Sequence, residues 1–192
     1  SDSPKVDLLG HSLGGLAAIE WALRRPDQVG QLVLIDPTAP DEVPSRFHVE
    51  GKLRRGMDKV AGAAVKALWR VGPRIRRWGI RQTTGSEDTL PIDEARARYG
   101  TRENSRRLAE QLSASWEHAA RVDALLDADV VRRRSPAPLL LVGAGNGKQR
   151  RFLRSQWDLG RKLHARTIML TGQNHVFPLT RPDLVVRHIQ SQ

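Results

Sequence analysis

Leu9-Gly10-His11-Ser12-Leu13-Gly14-Gly15 joins two stretches of different periodicity. Val6 to Leu9, before it, is a short apolar run that reads as a strand buried on both faces, as parallel strands are. Leu16 to Arg25, after it, places Leu16, Ile19, Ala22 and Leu23 on one helical face and ends at Arg24-Arg25-Pro26. The order is strand, tight turn, helix, with Ser12 at the apex of a Gly-x-Ser-x-Gly sequence. Such a turn strains the serine backbone and presents its Oγ above the sheet edge. Gly10 and Gly14 are expected to omit side chains that would clash where strand and helix cross. The N–H of Leu13 then points at the oxygen of a bound carbonyl, one half of an oxyanion hole. An ordinary strand-to-helix turn with an inert serine would share the same five residues, so the surroundings must decide.

Downstream, Leu32 to Ile35 reads as a second parallel strand stopped by Pro37, and Leu139 to Val142 as a third. Gln149 to Leu163 reads as a helix, Thr167 to Leu170 as the last strand and Leu184 to Ile189 as the closing helix. From about Pro40 to Arg134 no convincing strand occurs. Met57, Val60, Ala61, Ala64 and Leu68 form a helical stripe, Leu90-Pro91-Ile92-Asp93-Glu94 reads as a helix start, and Arg106 to Leu126 as one or two more helices. Alternating strands and helices define an α/β protein; the middle segment is a helical insertion between two of its strands.

The chain has 192 residues, enough for a real core, with 39% apolar and 28% charged residues. It contains no cysteine, which excludes disulfides and thiolate metal sites. No stretch approaches the roughly 18 apolar residues of a spanning helix. No cluster at metal-ligand spacing is visible, so neither metal nor cofactor is expected. Gly10 to Gly15 lacks the lysine of a phosphate loop, and Gly143 to Gly147 is too short for a dinucleotide site. Net charge is +11, concentrated between Lys52 and Arg81, where ten basic residues face the single acid Asp58. That excess suits an anionic surface or nucleic acid, and equally an arginine-rich solvated helical face. The solvated face is the expected reading, and nucleic acid is not an expected partner.

Residues 5–40 and 136–192 together resemble the α/β-hydrolase family, of the single-domain esterase, lipase and cofactor-free haloperoxidase kind. The resemblance rests on Gly10-His11-Ser12-Leu13-Gly14-Gly15, on Leu32-Val33-Leu34-Ile35-Asp36-Pro37, on Pro138-Leu139-Leu140-Leu141-Val142-Gly143, and on Gly172-Gln173-Asn174-His175 with the closing helix behind it. It implies a partial α/β-hydrolase fold: a mostly parallel sheet with flanking helices, a core of residues 1–40 and 136–192, and a helical cap over residues 41–135. Members of the family place further strands and a second oxyanion-hole donor ahead of the serine strand, so the chain reads as the C-terminal part of a hydrolase. Cytoplasmic localisation is the default expectation.

A serine hydroxyl attacks well only when a base removes its proton. His175 is the expected base, because it follows a strand by a short glycine-containing loop and lies far behind the serine, the order this family uses. The family usually supplies the acid in a Gly-x-x-Asp sequence after the third strand; here that sequence is Gly143-Ala144-Gly145-Asn146. Asparagine orients a ring but does not neutralise imidazolium. Some family members take the acid from the strand after the serine helix, which points to Asp36, with Asp41 and Glu42 in reserve. An aspartate before proline also caps a turn without further purpose. His11, Trp69 and Trp116 are the candidates for substrate contact, although for any single one of Trp69, Trp78 and Trp116 packing of the insertion onto the sheet is the expected role. The expected activity is hydrolysis of a carboxylic ester or related small acyl substrate through an acyl-enzyme. The alternative is an inactive remnant of the fold whose basic helical segment binds an acidic partner or a membrane surface.

Overall fold

The computed structural model describes residues 4–42, 71–84, 87–127, 137–145 and 149–191. The chain divides into two compact units, Ser1–Pro44 with His118–Gln192, and Ser45–Glu117.

The first unit is built on a parallel four-stranded sheet of β1 (Val6–His11), β2 (Val29–Ile35), β3 (Leu139–Gly145) and β4 (Arg166–Thr171), in that spatial order. Its helices are α1 (Leu13–Arg24), α5 (Arg150–Lys162), the short α6 (Phe177–Thr180) and α7 (Pro182–Gln190). β2 and β3 occupy the middle of the sheet, and Leu34, Leu139, Leu140 and Leu141 have 1% exposure or less. Each such leucine contributes about 1.5–3 kcal/mol of burial. Alternate residues of these strands serve opposite faces. Leu34, Leu140 and Val142 pack with Leu16, Ile19 and Leu159; Val33, Ile35, Leu139 and Leu141 pack with Phe177 and Val185. β1 departs from the reading of a strand buried on both faces. It is an edge of the described sheet, and Val6 and Leu9 are exposed.

The amphipathic face of α1 is as its periodicity predicts, with Leu16, Ile19 and Ala22 buried, although the helix begins three residues earlier than expected. Gly10 is required by close approach: a Cβ there would lie 2.8 Å from Gly15 Cα and 2.9 Å from Ala18 Cβ. Gly14 is not required in this way, contrary to expectation, because a Cβ there would meet nothing within 4 Å. The constraint falls one residue later, where a Cβ on Gly15 would lie 2.4 Å from Pro37 Cβ. Gly15→Ala is therefore expected to destabilise by about 1–3 kcal/mol through overpacking. Gly14→Ala is expected to be neutral or to stabilise by up to roughly 1 kcal/mol, as glycine-to-alanine changes do inside helices. Urea unfolding of the two variants checks both values, and equal effects would refute the assignment.

A long helix, α4 (Arg102–Asp127), spans the boundary between the units. Its last ten residues belong to the first unit, where Ala119, Val122 and Leu126 join the core beside Leu16 and Leu159. Thus residues 118–127, which fall within the segment 41–135, pack with the sheet layer. On the same side, Glu20 accepts from Arg24 at 2.8 Å and from Arg121 at 3.3 Å. Burial works to raise the Glu20 carboxyl, but these guanidinium groups outweigh it and hold the group below its ordinary value.

The second unit contains α2 (Gly72–Thr84), α3 (Ile92–Tyr99) and the first part of α4. No strand occurs among its described residues. Arg76 donates to Asp88 at 3.1 Å and its guanidinium lies 4.5 Å from the centre of the Tyr99 ring. The predicted stripe Met57 to Leu68 and Trp69 lie outside the described residues.

Candidate active site

Ser12, Asp36 and His175 converge at the carboxyl ends of the parallel strands. Ser12 follows β1 directly, Asp36 follows β2 directly, and His175 stands in the loop after β4. In open parallel sheets this end collects ligand-binding groups, because the strands stop there and the connecting loops diverge.

Ser12 has φ 53° and ψ −127°, a left-handed conformation that a residue with a Cβ rarely adopts. Strain of this kind costs about 1–3 kcal/mol and persists only where neighbours enforce it. Three backbone bonds do so. Ser12 N–H donates to Ile35 O at 3.2 Å, and Ser12 O accepts from Gly15 N–H and Thr38 N–H, each at 2.9 Å. The strand, the helix and the segment after β2 therefore all grip this one residue.

The loop after β4 is tied to the end of β3. Gly145 N–H donates to Gln173 O, and Gly172 N–H donates to Gly145 O, both at 2.8 Å. Asn174 Oδ1 accepts from Val176 N–H at 3.1 Å, and Phe177 anchors the far end of the loop with no exposed surface. The loop crosses β3 where Gly143 has no side chain: a Cβ there would lie 2.8 Å from Asn174 O and 3.1 Å from Asp36 Oδ2. That close passage lets a histidine carried by the outermost strand reach the first two.

The result is a hydrogen-bonded chain. His175 Nε2 lies 3.0 Å from Ser12 Oγ, and His175 Nδ1 lies 3.3 Å from Asp36 Oδ2. The tautomer protonated at Nδ1 donates to Asp36 and leaves Nε2 to accept from the Ser12 hydroxyl. Asp36 is 1% exposed, has φ 41°, and donates its own N–H to Leu141 O. Its Oδ1 accepts from Gly143 N–H at 2.7 Å. A carboxylate so buried costs several kcal/mol in lost hydration, which these charge-assisted hydrogen bonds offset.

The two reserve acids point elsewhere. Asp41 accepts from the Ser155 hydroxyl and Glu42 from Gln156 Nε2 at 2.9 Å, both on α5. Burial of Glu42 pushes its carboxyl above the ordinary value. Gln156, wholly buried, also donates to Pro37 O at 2.7 Å, so this contact secures the segment just after Asp36. Asn146 lies outside the described residues.

Two roles escape a reading by sequence. Gly143 N–H is a partner of Asp36, a role set by strand pairing, with Ile35 opposite Leu141. The other is the contact made by the ring of His11, which the sequence offered only as a candidate for substrate contact. Its Nε2 lies 2.9 Å from His175 O, so Nε2–H donates to that carbonyl, and the two rings are 4.9 Å apart. Of the other residues proposed for substrate contact, Trp116 is half-buried on α4 within the second unit, and Trp69 is not described. Trp78 is 66% exposed. Among the described residues no group of acids and histidines is placed to hold a metal ion, and no helix is long and apolar enough to cross a membrane.

A parallel sheet flanked by helices, with a serine at a strained strand-to-helix turn and a histidine behind the last strand, defines a hydrolase-like α/β protein. The model of the α/β-hydrolase family matches residues 2–188, and the chain belongs to that family. It is similar in structure to a thermophilic esterase from Thermogutta terrifontis, with a TM-score of 0.61 and 18% identity over 98% of this chain and 64% of that one. A carboxylesterase of Nitrososphaera gargenis gives a TM-score of 0.54 and 16% identity over 97% of this chain and 64% of its own. At such identities the likeness is one of fold. A shorter stretch of 34 residues is 50% identical to the (lyso)-N-acylphosphatidylethanolamine lipase of Homo sapiens, covering 18% of this chain and 10% of that protein. The chain spans less than two thirds of the length of each of these three proteins.

Proposed function

We propose that the chain is the part of a serine hydrolase that carries its nucleophile, base and acid, and that it acts on carboxylic esters or related acyl groups. The observation that carries this reading is His175, within hydrogen-bond reach of Ser12 on one side and of a buried carboxylate on the other. In this reading His175 Nε2 removes the Ser12 proton as Oγ attacks the substrate carbonyl carbon. Asp36 fixes the Nδ1–H tautomer and stabilises the imidazolium that forms. The N–H of Leu13, at the start of α1 ahead of the first intrahelical donor, serves the developing oxyanion. Imidazolium then protonates the leaving alcohol, and water activated by the same ring releases the acid and regenerates Ser12. Esterase and lipase names among the relatives agree with an acyl substrate. The insertion over residues 41–135 is proposed as the cap, on the strength of its described helices α2, α3 and the first part of α4.

The test is reaction of the folded chain with a fluorophosphonate, which modifies only an activated serine, beside turnover of a short-chain aryl ester. Covalent labelling at Ser12 supports the reading. A folded chain that neither labels nor turns over refutes it for this polypeptide.

His11 is proposed as a positioning residue, because its donor is already engaged by the His175 carbonyl. His11→Phe removes the donor and is expected to lower kcat by about one to two orders of magnitude with KM nearly unchanged, the usual result of a misplaced reacting group. His11→Gln can restore an N–H near the same position and should recover most of the loss. A rise in KM at unchanged kcat would instead return His11 to the substrate.

A further inference from the structure

We propose that the outer face of α2 docks on an anionic phospholipid surface. One face of this helix exposes Arg74, Arg77, Arg81, Ile75 and Trp78. Trp78 is 66% exposed and Ile75 42%, and the two are neighbours on one helix, so their exposure forms a patch. Positions 74, 78 and 81 follow one another at four and three residues, so an arginine flanks the indole on each side, and Arg77 lies alongside. α2 contains no acidic residue.

The basic residues of this helix are not equivalent. Arg76 is consumed inside the second unit, paired with Asp88 and stacked on Tyr99. Among the described residues no hydrogen bond or ion pair is seen for Arg74 or Arg81, while Arg77, without a direct bond, adds to the positive field that lowers the Asp88 carboxyl. All three side chains are exposed, so their charge faces solvent. A helix lying flat with arginines beside tryptophan and an aliphatic side chain matches the lipid interface, where guanidinium groups meet phosphate and the apolar side chains enter the acyl boundary. A second copy of the chain is a poor occupant, since the net charge of +11 and three facing arginines repel.

A similar stripe on α5 shows why arginine content alone is insufficient. Arg150, Arg154 and Trp157 are exposed there too, but Arg161 is paired with Asp158, and Asp41, Asp123 and Asp158 line the adjoining groove. Carboxylates beside that stripe weaken its field; α2 has no acid of its own, and Asp88 beside it pairs with Arg76 and lies in the field of Arg77.

The proposal is independent of the hydrolytic reading, because binding is measured without turnover. The full chain is sedimented with vesicles of phosphatidylcholine, with or without about one-third phosphatidylserine, over a range of salt. Binding is expected only to the anionic vesicles and should weaken steeply as salt rises. The triple variant Arg74→Glu, Arg77→Glu, Arg81→Glu is expected to bind at least a hundredfold more weakly, at roughly fivefold per arginine removed from the surface. The charge-matched control Arg150→Glu, Arg151→Glu, Arg154→Glu should stay within a few-fold of the parent, in the same order-of-magnitude bookkeeping. Trp78→Ala should lose several-fold at every salt concentration, and because that residue is exposed the variant keeps its fold. Equal losses in the two triple variants would reduce the effect to bulk charge and overturn the proposal. So would equal binding to neutral vesicles, or binding of RNA through Arg74, Arg77 and Arg81 with no vesicle binding.

Discussion

Ser12→Ala is expected to abolish fluorophosphonate labelling and to lower ester turnover by roughly 10³-fold or more, since removal of a serine nucleophile leaves only residual stabilisation of the transition state. The only side-chain contact described for the Ser12 hydroxyl is His175 Nε2, so the fold should survive its loss. Stability should change by no more than about 0.5 kcal/mol, the range of substitutions that remove no buried packing. Ser12→Gly sharpens the test. Glycine adopts φ 53° without a Cβ penalty, so this variant should be more stable than the parent by about 1 kcal/mol and still inactive. A gain in stability with a loss of labelling would show directly that the backbone strain at Ser12 is maintained for the reaction. Labelling that persists in either variant would place the reactive group elsewhere and defeat the assignment.

Asp36→Asn is expected to lower kcat by about 10⁴, the scale of the corresponding change in the serine-protease example. The reason is the tautomer. An asparagine amide in this position presents an N–H to His175 Nδ1, which drives the ring proton to Nε2, and Nε2 can then no longer accept from Ser12. Asn Oδ1 can still accept from Gly143 N–H, so folding should be retained and the effect confined to chemistry. Asp41→Asn and Glu42→Gln should leave kcat within a few-fold of the parent, because their carboxylates face Ser155 and Gln156 on α5. A large loss of turnover in either, with Asp36→Asn active, would move the acid out of the strand end.

The two carboxylate tests bear on the point where sequence alone was least informative. The Gly143-to-Asn146 sequence suggested a site without its usual acid, whereas the structure turns the His175 ring toward the end of β2. The pairing of β2 with β3 decides this, since it puts Asp36 beside Gly143 and beneath the loop that brings His175. The strands and helices were legible for a simpler reason. Val33-Leu34-Ile35 and Leu139-Leu140-Leu141 are continuous apolar runs, short and bounded by proline or glycine, as doubly covered strands are, and Leu16, Ile19 and Ala22 share one helical face. The exposure of β1 was missed because Val6, Leu8 and Leu9 outweighed Asp7, the one charged residue of the run, whose carboxylate accepts from Gln31 N–H at the exposed edge. Gly14 and Gly15 were likewise indistinguishable until the position of Pro37 was known.

By itself, then, the sequence determined the α/β class, the strained turn at Ser12, the order of serine before histidine, and the helical character of residues 71–127 where they are described. Those features depend on near neighbours along the chain, on period, turn chemistry and glycine. Tertiary structure alone decided that His11 grips the His175 carbonyl across 164 positions, that Gly143 supplies an N–H to Asp36 across 107, and that Arg76 is the arginine of α2 that bonds directly to Asp88. Each of these depends on which strand ends and helix faces come within hydrogen-bond distance, and local sequence preference carries no record of a distance set by the packing of the whole sheet.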